Sequence, residues 1–260
     1  MCKLQCGLKM RIFAFIPARF ASHRFPGKPL ALISGRPMIQ HVYMRAKACQ
    51  DFTDVFVATD DARIADCVIQ FGGHAVMTEK EHRSGTDRIY EAAVKTGVDE
   101  EDIIINIQGD QPLFDLSIVS DLVRPLKEDP SVSISTLKWR IEDQEDVCNP
   151  NHVKVVTDKN GYALYFSRAP VPYFRDGDTE KTYYKHLGFY GYRMGFLGLF
   201  TRLPEGELEG YERLEQLRAL ENGYRIKVIE TEFNSIEVDV PEDINVAERA
   251  LLSRSVSRVF

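Results

Sequence analysis

No window of this chain approaches the ~18 uninterrupted apolar residues of a membrane-spanning helix. Cationic excess is missing as well. The 33 Lys and Arg stand against 39 Asp and Glu, a net charge of -6, whereas a nucleic-acid or membrane-surface binder would usually be basic. Cysteine is scarce, five in 260 residues, and an odd number leaves no complete disulfide framework. Cys2 and Cys6 lack the two-residue spacing of a zinc knuckle, and Cys49 and Cys67 fall in helical patterns. The expectation is a reduced, cytoplasmic protein without a structural metal. The opening Met1 to Met10 has no cleavage-like tail, and the apolar segment after it is broken by Pro17 and Arg19. A signal peptide is therefore rejected. Residues 1–10 read as a loose tail, with Met10 an alternative start. Internal repeats and low-complexity linkers are also lacking.

What the chain does have is alternation of buried strands and amphipathic helices. At 44% hydrophobic it can bury a sizeable core, as one α/β domain or one with an embedded subdomain. Apolar runs at Arg11–Ile16, Asp54–Thr59, His74–Thr78 and Ile103–Ile107 read as strands. Near-continuous hydrophobics of this kind suit a parallel sheet covered on both faces. Helical patterns lie between them: one from about Pro37, one over Ala62–Phe71 ending at Gly72-Gly73, and one opening at Ser84-Gly85-Thr86-Asp87 with Thr86 as N-cap. The rhythm predicts a doubly wound, mostly parallel sheet.

The pattern then changes. Asp158-Lys159-Asn160-Gly161 between apolar runs at 152–157 and 162–167 signals a hairpin, and Lys185–Tyr192 reads as a further strand. An inserted antiparallel sheet is expected, in a subdomain at about 132–200 of a single domain covering 11–260. A helix over Glu212–Asn222, strands at Arg225–Ile229 and Ile236–Asp239, and a last helix from Pro241 complete the reading.

The loop after the first strand gathers Arg19, Arg24 and Lys28 around Pro26-Gly27. In α/β sheets this loop holds phosphates, since helix N-termini and free backbone N–H groups favour anions there. A Walker loop is excluded, because Gly27-Lys28 is followed by Pro29 and no glycine stands five positions earlier. A Rossmann fingerprint needs three spaced glycines, and this loop has one. Charge alone is compatible both with a solvated basic loop and with a clamp on a polyphosphate, arginines being able to grip oxygens bidentately.

The order of residues adds to this. Ile16-Pro17-Ala18-Arg19-Phe20, then Ser22, then Arg24-Phe25-Pro26-Gly27-Lys28-Pro29-Leu30, resembles the signature of the 3-deoxy-manno-octulosonate (Kdo) cytidylyltransferases, or CMP-Kdo synthetases. CMP-sialic acid synthetases share its opening but not the Arg-Phe-Pro-Gly-Lys-Pro part. The resemblance extends to the C-terminal helix.

Asp110 directly follows the strand at 103–107, and Asp239 closes the segment at 236–239. Ligands of doubly wound sheets lie beyond the carboxyl ends of the strands, so the two could converge on one cation. Each is equally readable as a turn or capping Asp. Both sit in segments like those of the family, Gly109-Asp110-Gln111-Pro112 and Val238-Asp239-Val240-Pro241-Glu242-Asp243. The resemblance implies that Asp110 and Asp239 bind Mg²⁺. Where many members have Glu after the first Asp, this chain has Gln111, which cannot supply an anionic oxygen.

His82 to Asp87 also matches. By resemblance, Arg83, Ser84 and Gly85 belong to the CTP site, backbone and hydroxyl groups around Ser84 and Gly85 helping to read the cytosine edge, with Pro17 and Ala18 against the base; an ordinary N-cap turn is the plain alternative. Segments Tyr165–Arg168, Lys185–Tyr190 and Leu214–Arg218 imply a sugar pocket. There Arg168 would pair with the substrate carboxylate, and Gln108, His186, Tyr190, Glu215 and Gln216 would bond hydroxyls. His186 is also readable as a structural histidine, and Glu215 with Arg218 as an i,i+3 surface pair.

The resemblance implies an enzyme that couples CTP to Kdo, giving CMP-Kdo and pyrophosphate for lipopolysaccharide. Arg19, Lys28, Asp110 and Asp239 would be its catalytic residues and Mg²⁺ its cofactor. A homodimer contacting through the inserted sheet is implied, with no nucleic acid and no membrane insertion. The alternatives are the same chemistry on 8-amino-Kdo or sialic acid, and a non-catalytic nucleotide-binding regulator. The reading requires that the two aspartates face each other and that the cations are not consumed by internal ion pairs.

Overall fold

A computed structural model describes residues 10–21, 24–175 and 181–256. Residues 1–9, with Cys2 and Cys6, and Ser22 of the loop motif lie outside them. Strand β1 (Ile12–Ala18) leads through a single 3-10 turn, Lys28–Leu30, and a short ribbon of β2 (Leu32–Ile33) and β3 (Arg36–Pro37) into α1 (Met38–Lys47). Then follow β4 (Asp54–Thr59), α2 (Ala62–Gln70), β5 (His74–Met77), α3 (Gly85–Lys95), β6 (Ile103–Asn106), α4 (Ser117–Glu128) and β7 (Ile134–Arg140). Next come α5 (Gln144–Cys148), β8 (Lys154–Thr157), β9 (Ala163–Ser167), β10 (Tyr184–Arg193) and α6 (Met194–Phe200). The chain ends with α7 (Glu207–Glu212), α8 (Leu217–Glu221), β11 (Lys227–Glu230) and α9 (Asp243–Val256).

The main sheet runs β11-β7-β10-β6-β1-β4-β5. Strands β6, β1, β4 and β5 are mutually parallel, as are β11 and β7, while β10 runs antiparallel to both β6 and β7. The hairpin forms where Asp158–Gly161 signals it, with Gly161 at φ +75, and joins the sheet through the Lys154–Lys185 pairing of β8 with β10. The mostly parallel α/β sheet with antiparallel pairing in its second half is thus observed.

Strand β1 shows why both faces are covered. Ile12, Ala14 and Ile16 enter one apolar cluster with residues of α1, α2 and α4, while Phe13 and Phe15 enter the other with α3, α6 and α8. Each fully buried side chain of this size contributes about 2 kcal/mol through removal from water. A third cluster, with Ile33, Met38, Leu113, Val238 and Ala247, docks the C-terminal segment beside the first loop.

Three local expectations change. Ile236–Asp239 is no strand: Val238 donates to the Asp110 carbonyl (2.9 Å), and Asp239 and Val240 donate to Asp243 Oδ2 (2.7 and 3.0 Å). These partners replace a ladder and tether the segment to the loop after β6. The helix expected over Glu212–Asn222 is split, because Arg213 adopts φ 52, left-handed backbone that ends α7. The N-cap of α3 is Ser84, whose hydroxyl accepts from Asp87 N at 3.1 Å, and Thr86 lies inside the helix.

Candidate active site

Strand β1 lies between β6 on one side and β4 on the other, so chain connections diverge around it and a crevice opens at its carboxyl end. That crevice is a cleft of about 280 Å³. Its walls contain every residue expected on the CTP side: Pro17, Ala18, Arg19, Arg24, Lys28, Arg83, Ser84, Gly85 and Asp110, together with Asp239 and Gln108. The first loop turns into the cleft at Gly27, which takes φ +72 and packs where a Cβ would meet the Phe20 ring at 3.1 Å. Gly109 lets the loop after β6 approach β1 closely, since a Cβ there would lie 2.8 Å from the Pro17 carbonyl.

The two aspartates converge. Lys28 Nζ lies 2.7 Å from Asp110 Oδ2 and 3.4 Å from Asp239 Oδ1. Arg24 reaches Asp239 with both terminal nitrogens, each at 3.2 Å. The expectation of a clamp unconsumed by internal ion pairs is not met: two of its three cations, Arg24 and Lys28, pair with these same carboxylates. Arg19 is exposed and has no ion pair among the described residues.

These acids suit a hard divalent cation. Magnesium is commonly bound by one or two carboxylates, with phosphate oxygens and water completing its shell. Two hard oxygen donors facing one ammonium provide that arrangement, and among the described residues no cluster of three or more potential metal ligands competes with it.

The loop before α3 is held from the helix. Arg88, 4% exposed, donates to the Thr78 hydroxyl (2.5 Å) and the Glu79 carbonyl (3.2 Å) and lies 3.3 Å from Asp60. Glu91 accepts from Glu79 N (2.9 Å) and pairs with His82 and Lys95. Arg88 and His82 also line the cleft. Sequence reading assigned neither a role, although both fall in or beside the quoted motif.

The residues expected to bind the sugar do not line this cleft, Gln108 excepted. His186 packs edge-on to Phe166 (5.0 Å between centroids) and against Tyr190 (5.4 Å). Its Nε2 lies 2.9 Å from Thr136 Oγ1, whose single proton points to the Phe189 carbonyl at 2.8 Å. The imidazole Nε2–H thus donates to Thr136, leaving Nδ1 as an acceptor. Burial, reinforced by the charge of Lys185, pushes His186 down to about 3. Glu215 accepts from the Thr86 hydroxyl (2.5 Å), which ties it to the start of α3. Burial raises its pKa against the opposing pull of Ser84 and Thr86. Gln216 is buried with Nε2 unpartnered, and Gln108 Nε2 donates to the Gly188 carbonyl at 3.0 Å.

Arg168 is differently employed. Its guanidinium donates to the carbonyls of Glu212 (2.7 Å), Pro150 (2.9 Å) and Arg213 (3.4 Å), and its backbone N–H donates to the Glu212 carboxylate. Arg218 forms a buried pair with Glu209 at 2.5 Å and a longer i,i+3 pair with Glu215 at 3.9 Å, so that pairing is present but buried and not at the surface.

Comparison with known proteins identifies the family. The sequence model of a family described as cytidylyltransferase matches residues 13–229. A 3-deoxy-manno-octulosonate cytidylyltransferase of Syntrophus aciditrophicus (strain SB) is 51% identical over 245 residues, covering 94% of this chain and 99% of that protein. The chain belongs to the 3-deoxy-manno-octulosonate cytidylyltransferase family. Its membership does not separate two sugars, because an 8-amino-3,8-dideoxy-manno-octulosonate cytidylyltransferase of Shewanella piezotolerans is 50% identical over 243 residues, covering 93% and 99%. A solved structure of CMP:2-keto-3-deoxy-manno-octonic acid synthetase complexed with CTP superposes with a TM-score of 0.87 at 41% identity, covering 94% of this chain and 99% of that one.

Proposed function

We propose that this chain transfers the cytidylyl group of CTP to 3-deoxy-D-manno-octulosonate, giving CMP-Kdo and pyrophosphate. One observation carries the reading: Asp110 and Asp239, from distant parts of the chain, meet opposite Arg19, Arg24 and Lys28 in a single cleft. The relatives' names supply the substrate pair.

The anomeric hydroxyl of the sugar attacks the α-phosphorus in line, and pyrophosphate leaves. Positioning and charge neutralisation carry such chemistry, with no covalent intermediate on the protein. Pro17 and Ala18 lie against the base, while Arg83, Ser84 and Gly85 face its cytosine edge. Lys28 and Arg24 exchange their carboxylate partners for β- and γ-phosphate oxygens when CTP enters, and Arg19 joins them. That exchange keeps every charge partnered, which is why the internal ion pairs do not exclude a triphosphate. Asp110 and Asp239 would hold Mg²⁺, which when bound neutralises phosphate charge and lowers the proton affinity of a coordinated hydroxyl. His186 Nδ1, Tyr190, Glu215, Gln216 and Gln108 are assigned to the sugar hydroxyls.

The enzyme is proposed to work as a cytoplasmic homodimer, contacting through the antiparallel strands, and to supply lipopolysaccharide synthesis. A second reading, 8-amino-Kdo as acceptor, is favoured by the Shewanella piezotolerans relative. Sialic acid is disfavoured by the Arg24-Phe25-Pro26-Gly27-Lys28-Pro29 loop. The deciding experiment is pyrophosphate release from CTP and Mg²⁺ with a panel of sugar acids. Release with Kdo supports the first reading, release only with the amino sugar the second. Silence with every acid leaves a nucleotide-binding regulator.

A further inference from the structure

Asp110 and Asp239 belong to segments that share no β-ladder: the loop after β6 and the stretch leading into α9. Two hydrogen bonds cross between them. Val238 N–H donates to the Asp110 carbonyl at 2.9 Å, and Gln111 Nε2 donates to Glu237 Oε1 at 3.0 Å. The first runs from the neighbour of one aspartate to the backbone of the other. The second joins the residue after Asp110 to the residue two before Asp239. The bonds from Asp239 N and Val240 N to Asp243 stay within the C-terminal segment and do not reach across.

The amide is dedicated to this contact. Gln111 is 2% exposed and its Oε1 is buried without a hydrogen-bond partner, so the bond from Nε2 is what offsets the burial of its polar end. Lys185 Nζ stands 3.9 Å from the same Glu237 oxygen, an ion pair without a hydrogen bond. Among the described residues no three acidic, His or Cys side chains group as a metal site, so Glu237 is not a third ligand beside the two aspartates. Its influence on them passes through Gln111 and the backbone. Partners one step out from the ligands of a metal orient those ligands, and removing them typically costs about 10- to 100-fold in metal affinity or activity.

Resting on the functional reading above, we propose that Gln111 and Glu237 form a positioning clasp that holds Asp110 and Asp239 in register for a divalent cation. Without the clasp both carboxylates remain, but the segments that carry them are joined by one hydrogen bond fewer, and the cation binds less tightly.

Two charge-matched comparisons in the full-length protein separate the bond from the charge. Gln111→Met removes the donor at unchanged net charge and is compared with wild type. Glu237→Met and Glu237→Gln both remove the charge, but the glutamine keeps an oxygen that can accept from Gln111. The readouts are the Mg²⁺-induced rise in Tm without nucleotide, and the free Mg²⁺ concentration for half-maximal pyrophosphate release at saturating CTP and sugar acid. In each comparison the protein lacking the bond should need about 10-fold more Mg²⁺. It should also show the smaller Mg²⁺-induced rise in Tm, with KM for the sugar unchanged. A bond that serves the fold alone would lower Tm in the absence of metal and leave both Mg²⁺ readouts as they were. That result in both comparisons overturns the proposal. Gln111 is buried, so if Gln111→Met does not fold, the Glu237 pair, at a side chain 34% exposed, decides. If wild type releases no pyrophosphate with any sugar acid, the functional reading falls, and the Mg²⁺-induced Tm comparison still decides the clasp.

Discussion

Lys28 Nζ lies 2.7 Å from Asp110 Oδ2 and also reaches Asp239 Oδ1, so a single ammonium bridges two carboxylates that would otherwise repel each other. The proposed Mg²⁺ would be held by the same two carboxylates, and would then compete with this ammonium. Lys28→Ala removes that competitor and exposes the mutual repulsion. Without CTP, the variant should be less stable than wild type, and added Mg²⁺ should raise its Tm more than that of wild type, because ligand binding stabilises in proportion to affinity. With CTP and sugar its turnover should fall by about 10²-fold or more, since a phosphate-holding cation is gone. Equal Mg²⁺-induced shifts in the two proteins would remove Lys28 from the metal position.

Asp239→Asn separates chemistry from folding. Asp239 is partly exposed and pairs with Arg24, whose side chain is 60% exposed, so the lost pairs should cost within about 1 kcal/mol. The backbone bonds that fix the segment run through Val238 N and Asp243 and do not involve the Asp239 carboxylate. Circular dichroism and Tm should stay near wild type while turnover is abolished. Near-normal rates would exclude Asp239 from the site.

Glu91 should couple acid stability to nucleotide reading. Burial raises its pKa, but Lys95, the Glu79 N–H and His82 outweigh this and bring it from 4.5 to about 2. A depressed carboxyl stabilises the fold fully above its unfolded pKa and loses that contribution as pH falls from about 4.5 toward 2. The shift corresponds to about 3 kcal/mol before solvent screening, which cuts it to about 1. Glu91→Gln should therefore lower Tm at pH 7 and narrow the gap to wild type as pH approaches 3. It should also loosen residues 79–84, raising KM for CTP several-fold and relaxing discrimination against UTP while KM for the sugar stays put. A parallel rise in both KM values would assign Glu91 to general stability alone.

Legibility in the sequence tracked how local each cause is. Asp54–Thr59 was readable to the residue because a strand buried on both sides is an uninterrupted apolar run. The hairpin followed from Asn160-Gly161. No element was read over 113–133, yet α4 lies there, with Pro125 in its last turn interrupting the helical signal. Ile236–Asp239 alternates like a strand, but its backbone partners come from Asp110 and Asp243, which composition does not reveal. At the site, the family motifs picked out residues that the fold gathers in one cleft. The surroundings of Arg168 were not legible: only the fold brings the carbonyls of Pro150, Glu212 and Arg213 onto its guanidinium.

His186 supplies the sharpest pH prediction. Its ring is 8% exposed, wedged between Phe166 and Tyr190, and its pKa falls from 6.5 to about 3 through burial and then through Lys185. Between those values the unfolded chain binds a proton that the native protein does not, so stability declines as pH drops through that window. At 1.36 kcal/mol per unit, acidification from 6.5 to 5 should cost about 2 kcal/mol from this residue. His186→Gln should flatten that part of the stability profile even if it lowers the overall level. In the wild type, the His186 ring signals in an NMR titration should stay those of the neutral Nε2–H tautomer from pH 8 to 5, because protonation would place a cation among aromatic rings beside another cation. A neutral imidazole across this range also means that sugar affinity should show no inflection assignable to His186. An inflection near 6.5 in those ring signals would mean that the ring is open to solvent, and its assignment as a fixed acceptor for a sugar hydroxyl would then fail.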